Sequence, residues 1–139
     1  MRLVRLTYAS LVTEDFTQKD LKKIISQSRE NNLEKGITGY LLYDDKYFLQ
    51  TVEGSAEEVN KLYNNIVNDL RHNQVQLLGF EEIEYREFTH WNLGYHTSTD
   101  INDEILLKYS NHKKFNPYHL HQKSSVMLLK EISQNIESE

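Results

Sequence analysis

KYFLQTVEG, residues Lys46–Gly54, is the stretch from which the rest of the chain is read. It follows a turn-forming pair, Asp44-Asp45, and runs into a helix start at Ser55. Side chains alternate across a strand, so Tyr47, Leu49 and Thr51 share one face and Phe48, Gln50 and Val52 share the other. Gln50 therefore lies between two apolar neighbours, where a core is expected. An unpaired buried amide costs about 1–3 kcal/mol, so the fold must bring Gln50 its partners.

Working outward, Arg2–Ala9 alternates as a first strand, with Val4, Leu6 and Tyr8 on one face and Leu3, Arg5 and Thr7 on the other. Thr17-Gln-Lys-Asp20 has the form of a capping box, with Asp in place of the usual Glu or Gln. The helix it starts runs to about Asn31–Asn32, and Gly36 closes the region. Leu21, Ile24, Ile25, Ser28 and Asn32 fall in one stripe, aliphatic at first and polar toward its end. Asn31 lies at the margin of the stripe, where an asparagine near a helix C-terminus is ordinary; Asn32 lies at its centre.

Ile37–Tyr43 is a second strand and forms a hairpin with the opening stretch. Ser55-Ala-Glu-Glu58 caps a second helix that carries Val59, Leu62, Tyr63, Ile66 and Leu70 at helical spacing and ends near Asp69–Asn73. Val75–Glu84 is a fourth strand. Trp91–His96 is a short fifth, with Trp91, Leu93 and Tyr95 on one face.

The order β-α-β-β-α-β-β is the split βαβ, ferredoxin-like plan of the α+β class. It pairs the first and third strands in the middle of the sheet and packs both helices on one face. Tyr8, Gln50, Ser28 and Asn32 then converge beneath the helices. A ligand rich in hydrogen-bonding edges would satisfy them, as would direct mutual bonding or buried water. The uncovered face, with Leu3, Tyr47 and Leu49, needs cover. A helix at Asp100–Ser110 and another near Gln122–Ile136, bearing Val126, Leu129, Ile132 and Ile136, can supply it; Pro117 separates the two.

The 139 residues make one domain with a tail. A net charge of −5 argues against a nucleic-acid surface. With neither an apolar run of about 20 residues nor a signal-peptide pattern, the expectation is a soluble cytoplasmic protein with no membrane partner. The absence of cysteine excludes disulfides, thiolate metal sites and cysteinyl adducts. His119-Leu-His121 reads as a solvated pair and not a metal site. Glu81, Glu82, Glu84 and Glu87 read as a solvated edge. Arg71-His72 after the second helix could meet an anion, although cations complementing the helix dipole explain them more simply. P-loop, GxSxG and GxGxxG patterns are absent.

RLTYAS, SRENN…GITGYLLY, FLQTVEG, DLRH and Phe88-x-x-Trp91, in this order and spacing over Met1–Thr97, resemble the BLUF domain, which senses blue light using flavin. The resemblance implies a flavin-binding domain at residues 1–97 with a five-stranded sheet and two helices clasping the flavin. Residues 98–139 would form a C-terminal helical extension, as in the short stand-alone members of the family. The implied cofactor is noncovalent FAD, with FMN as the alternative. Tyr8 matches the photoactive tyrosine, Gln50 the switching glutamine, and Asn32 the asparagine at the ring's carbonyl edge, with Asn31 beside it. Ile24 and Ile66 match the residues packing on the ring faces, with Ile25, Ser28 and Phe48 near. Asp69, Arg71 and His72 match the end of the second helix, toward the ring's polar edge or the ribityl-phosphate chain. Trp91 matches a tryptophan of the fifth strand, which the family places beside the first strand. Leu93 stands where methionine is common, and so lacks a flexible, polarisable thioether. Trp91 and Leu93, next to Gln50, are the implied signal relay.

The resemblance implies a photoreceptor, not an enzyme. A phenol can give an electron and release its proton, and a primary amide can swap the donor and acceptor ends it presents. The expected response is a small red shift that reverses in darkness, read out by a downstream protein partner or by a change in a homo-oligomer. A ferredoxin-like interaction module without a cofactor and a small flavin-dependent redox enzyme are the competing readings.

Overall fold

The computed structural model describes residues 2–135. The elements are β1 (Leu3–Val12), α1 (Gln18–Lys35), β2 (Thr38–Tyr43), β3 (Tyr47–Ser55), α2 (Ala56–Val67), β4 (His72–Glu82), β5 (Gly94–Thr97), α3 (Asp103–Tyr109) and α4 (Gln122–Asn135), with short 3-10 turns at Ser98–Asp100 and Pro117–His119. The sheet order is β4-β1-β3-β2-β5. β1 pairs antiparallel with both β3 and β4, and β3 pairs antiparallel with β2. β5 alone runs parallel to its neighbour, β2. This is the ferredoxin-like α+β plan with a fifth strand added at one edge.

Local chemistry sets the ends of α1. The Thr17 hydroxyl accepts from the Asp20 amide, and the Asp20 carboxylate accepts from the Thr17 amide, so both halves of the capping box are made. Gly36 ends the helix at φ 71°, a left-handed conformation that glycine adopts without steric cost, and donates to the Asn32 carbonyl. α1 is thus one turn longer than its apolar stripe suggests. α2 is capped by Ser55, whose side chain accepts from the Glu58 amide.

Two apolar clusters fill the space between the helices and the sheet. Val4, Leu6, Tyr8, Val52 and Val59 pack under α2, and Leu21, Ile25, Leu41, Phe48 and Leu93 pack under α1. The opposite face is covered by the tail. Tyr40, Leu42 and Leu49 of the sheet meet Leu106 of α3 and Leu128, Leu129 and Ile132 of α4. Tyr47 lies edge-on to Phe115 and Tyr118. Leu3 is not part of that cluster, and Ile136 lies outside the described residues.

Four expectations are corrected. The fifth strand is Gly94–Thr97 and not Trp91–His96, and it lies beside β2 and not beside β1, whose outer neighbour is β4. Trp91 and Leu93 do not share a face. Leu93 is buried under α1, whereas Trp91 packs against Tyr40, whose ring belongs to the cluster under the tail. The physical reason is that residues 91–93 are not a strand, so side-chain alternation does not apply to them. A Cβ at Gly94 would approach the Tyr40 ring to 2.2 Å, so β5 can enter the sheet here only through glycine. β4 begins earlier than expected, at His72, because β1 extends to Val12 and pairs with it.

Candidate functional site

The central strands bring Tyr8 and Gln50 directly opposite each other. Both face the helices, because the alternation that buries Val4 and Leu6 also buries Tyr8. The Tyr8 hydroxyl donates to Gln50 Oε1 at 2.5 Å, a short bond for two neutral groups. Gln50 is 7% exposed, and its Nε2 makes no hydrogen bond among the described residues. Burial pushes the Tyr8 phenol well above its usual range, and the nearby Asp69 carboxylate and Tyr63 push in the same direction. Tyr8 is therefore a neutral proton donor at physiological pH.

These two residues form the floor of a cavity of about 70 Å³ between α1 and α2. Ile24 and Ser28 of α1 face Leu62 and Ile66 of α2 across it, with Phe48 and Leu41 alongside. Asn32, only 1% exposed, closes the α1 side. Its Nδ2 donates to the Asn92 carbonyl at 2.7 Å, whereas its Oδ1 is buried without a partner. Such an orphan acceptor calls for an N–H from a ligand.

Asp69, Arg71 and His72 form the far wall. The Arg71 guanidinium grips the Asp69 carboxylate at 2.6–3.2 Å and holds it below the usual carboxylate range, while Asp69 raises Arg71. His72 Nε2 lies 2.6 Å from the Ile66 carbonyl and its Nδ1 lies 2.7 Å from Ser10 Oγ. A carbonyl can only accept, so Nε2 carries a proton. His72 thus ties the end of α2 to β1.

Not every expected residue lines this cavity. Asn31 is exposed, on the outward side of α1. Ile25 is buried beside the cavity, under α1. Leu93 lines both it and an outer groove, and Trp91 lies on that groove alone, with Arg29 and Leu33.

Sequence reasoning passed over several residues. Leu41 and Leu62 were visible only as core positions. Glu53, in the opening stretch itself, is fully buried. It accepts from Arg5 at 2.9–3.0 Å and from the amides of Glu87 and Phe88, so it anchors the long connection after β4. A charge on the inner face of a central strand was the available signal. Arg86, next to Glu87, fixes the same part of the connection, donating to Thr38, to the Glu53 carbonyl and to the Gly36 carbonyl.

The profile of a family described as "Sensors of blue-light using FAD" matches residues 3–94. The chain belongs to the BLUF family. Along nearly its whole length it is similar to a solved BLUF-type structure, "BlsA photo-activated state", at 32% identity and TM-score 0.86, covering 99% of this chain and 98% of that one. A second, "BlrB - a BLUF protein, dark state structure", is 29% identical at TM-score 0.75, covering 94% and 93%. The photoactivated adenylate cyclase subunit beta of Euglena gracilis is 32% identical over 105 residues, which are 75% of this chain but 12% of that much longer protein. BLUF domains thus occur with and without an attached enzyme. No enzymatic domain is present among the described residues, and none of their helices is long and apolar enough to cross a membrane.

The chromophore of BLUF sensors is a flavin, and the residues present fit one. Its ring system has an imide N–H flanked by two carbonyls. The orphan Oδ1 of Asn32 is an acceptor suited to such an N–H, and the amide of Gln50 is a donor on the same cavity. Ile24 and Ile66 provide apolar surfaces on opposite walls.

Proposed function

We propose that this chain is a blue-light switch in which Tyr8 and Gln50 are the working pair. The observation that carries the proposal is the short bond from a buried neutral phenol to an amide whose other end is unpaired. Asn32 would hold the polar edge of the flavin, Ile24 and Ile66 its faces, and Ser28 and Phe48 its near side. Asp69, Arg71 and His72 would meet its outer edge or side chain. FAD is the proposed form, and Arg71, a cation on the cavity wall, would be available to its phosphates.

A bound flavin supplies absorption of blue light and an excited state able to take an electron. Tyr8 can give that electron, and its hydroxyl proton can pass to Gln50 at Oε1 along the existing bond. The amide rotates or tautomerises as the electron and a proton return to Tyr8, so that the phenol and the cavity each meet the opposite end of the group. Atom count and packing barely change, which lets the swap occur inside a close-packed core and reverse in the dark. A carboxylate at position 50 could not do this, because it only accepts.

The 91–93 segment offers an exit for the signal. Leu93 lies on the same cavity as Gln50, and Trp91, two residues earlier, lies against Tyr40 under the tail. A moving 91–93 segment can therefore reach the tail helices, whose altered surface would be read by a protein partner or a second copy of the chain. Tyr8→Phe and Gln50→Leu test the pair: both variants should bind flavin and lose the reversible red shift. A normal reversible shift in either variant contradicts the mechanism.

A further inference from the structure

Residues 91–93 are held by three consecutive carbonyls, each taken by a different donor. The Trp91 carbonyl accepts from the Gly39 amide of β2 at 3.0 Å. The Asn92 carbonyl accepts from Asn32 Nδ2 at 2.7 Å, and the Leu93 carbonyl from Arg29 Nε at 2.9 Å. The first bond belongs to the sheet. The other two come from side chains three residues apart on α1, which therefore lie on one helix face. The segment thus hangs between β2 and α1, and α1 holds the part nearer the cavity.

Arg29 is exposed, and an exposed arginine is usually mobile. Here a second contact fixes it. Its guanidinium carbon lies 5.1 Å from the centroid of the Tyr95 ring, a cation–π arrangement that points Nε at residue 93. A planar guanidinium can stack and donate at once, which the point charge of a lysine does less well. The result is a clamp outside the cavity that sets the height of Leu93 within it. Leu93 is 1% exposed and packs with Leu41, the cross-strand partner of Gln50.

We propose that Arg29 is a positioning residue: by holding the Leu93 carbonyl it fixes the Leu93 side chain on the cavity and thereby sets how quickly the Gln50 arrangement reverts in darkness. The proposal rests on the flavin-switch reading above. Asn32 serves the cavity and the segment at once, whereas Arg29 touches the segment and Tyr95 but not the cavity, so its variants spare the cavity lining.

The protein has a single tryptophan, Trp91, within the clamped segment, so intrinsic tryptophan fluorescence reports on that segment alone. The test compares Arg29→Met, Arg29→Lys and, as a control on the same groove, Lys22→Met, in two arms. In the flavin-free protein, acrylamide should quench Trp91 roughly twofold more efficiently in Arg29→Met, as expected of a segment that loses one of the bonds holding it. Arg29→Lys should fall between, and Lys22→Met should match the wild type. In the flavin-loaded protein, Arg29→Met should recover in the dark roughly fivefold faster, the scale of one charge-assisted hydrogen bond offset by side-chain entropy. Flavin affinity and the resting absorption maximum should stay unchanged. Unchanged quenching or unchanged recovery in Arg29→Met overturns the proposal. If the wild type shows no light-induced shift, the flavin-switch reading fails together with the recovery claim, while the quenching arm still decides whether Arg29 holds the segment.

Discussion

At the scale of single residues, Gln50 is held on one side only. Tyr8 satisfies its oxygen, and its nitrogen, on the cavity lining, remains available there as a donor. The protonation of Tyr8 can be checked without light. Its folded-state pKa lies above the ordinary 10.0, so the folded protein binds that proton more tightly than the unfolded chain does. The associated stability is complete below pH 10.0 and is lost as pH rises toward the folded-state value. Urea unfolding of flavin-free wild type and Tyr8→Phe, from neutral pH to about pH 11, should show the wild type losing stability relative to the variant only in the alkaline part of the range. Parallel curves throughout would mean that Tyr8 is not buried as a neutral phenol.

At the scale of elements, the long connection between β4 and β5 is ordered by charges and not by regular structure. Glu53 receives Arg5 and two backbone amides, and Lys130 of α4 pairs with Glu87 of the same connection. Glu53→Gln removes the charge facing Arg5, which keeps Glu81 at 2.8 Å, and should cost about 2 kcal/mol by chemical denaturation, less than leaving a buried charge with no partner. A loss below about 1 kcal/mol would place the pair among weak surface bridges. The elements themselves were largely legible. Period-two alternation around Gln50 and Tyr8, the capping boxes at Thr17 and Ser55 and the apolar stripe of α4 are local signals, and they mark their elements to within a few residues. The 91–93 segment was not legible, because its conformation is set by Gly39, Asn32 and Arg29, which are distant in sequence. Alternation placed Trp91 beside Leu93; tertiary hydrogen bonds send them to opposite sides of the sheet. Asn32 could be singled out by its position at the centre of the α1 stripe. Asn31, one residue on, is carried outward by the 100° turn of the helix and is exposed.

At the scale of the whole molecule, the sheet separates a sensing side from a reading side. α1 and α2 cover one face and enclose the Tyr8–Gln50 pair; α3 and α4 cover the other with an apolar cluster of their own. The 91–93 segment passes between them at the edge. A signal therefore need not cross the packed centre of the sheet. The convergence of Tyr8, Gln50 and Asn32 could be reasoned from pairing and helix periodicity alone, because each lies on a regular element. Reading that polar pocket as a light switch depended on the family resemblance, since donors and acceptors alone do not specify a flavin. The most direct test is a difference spectrum of the purified full chain loaded with FAD, taken before and after blue light and followed in darkness. A small red shift of the flavin bands that returns to the starting spectrum in the dark over repeated cycles is expected. Retention of FAD with no shift, or with irreversible bleaching in place of a shift, would contradict it.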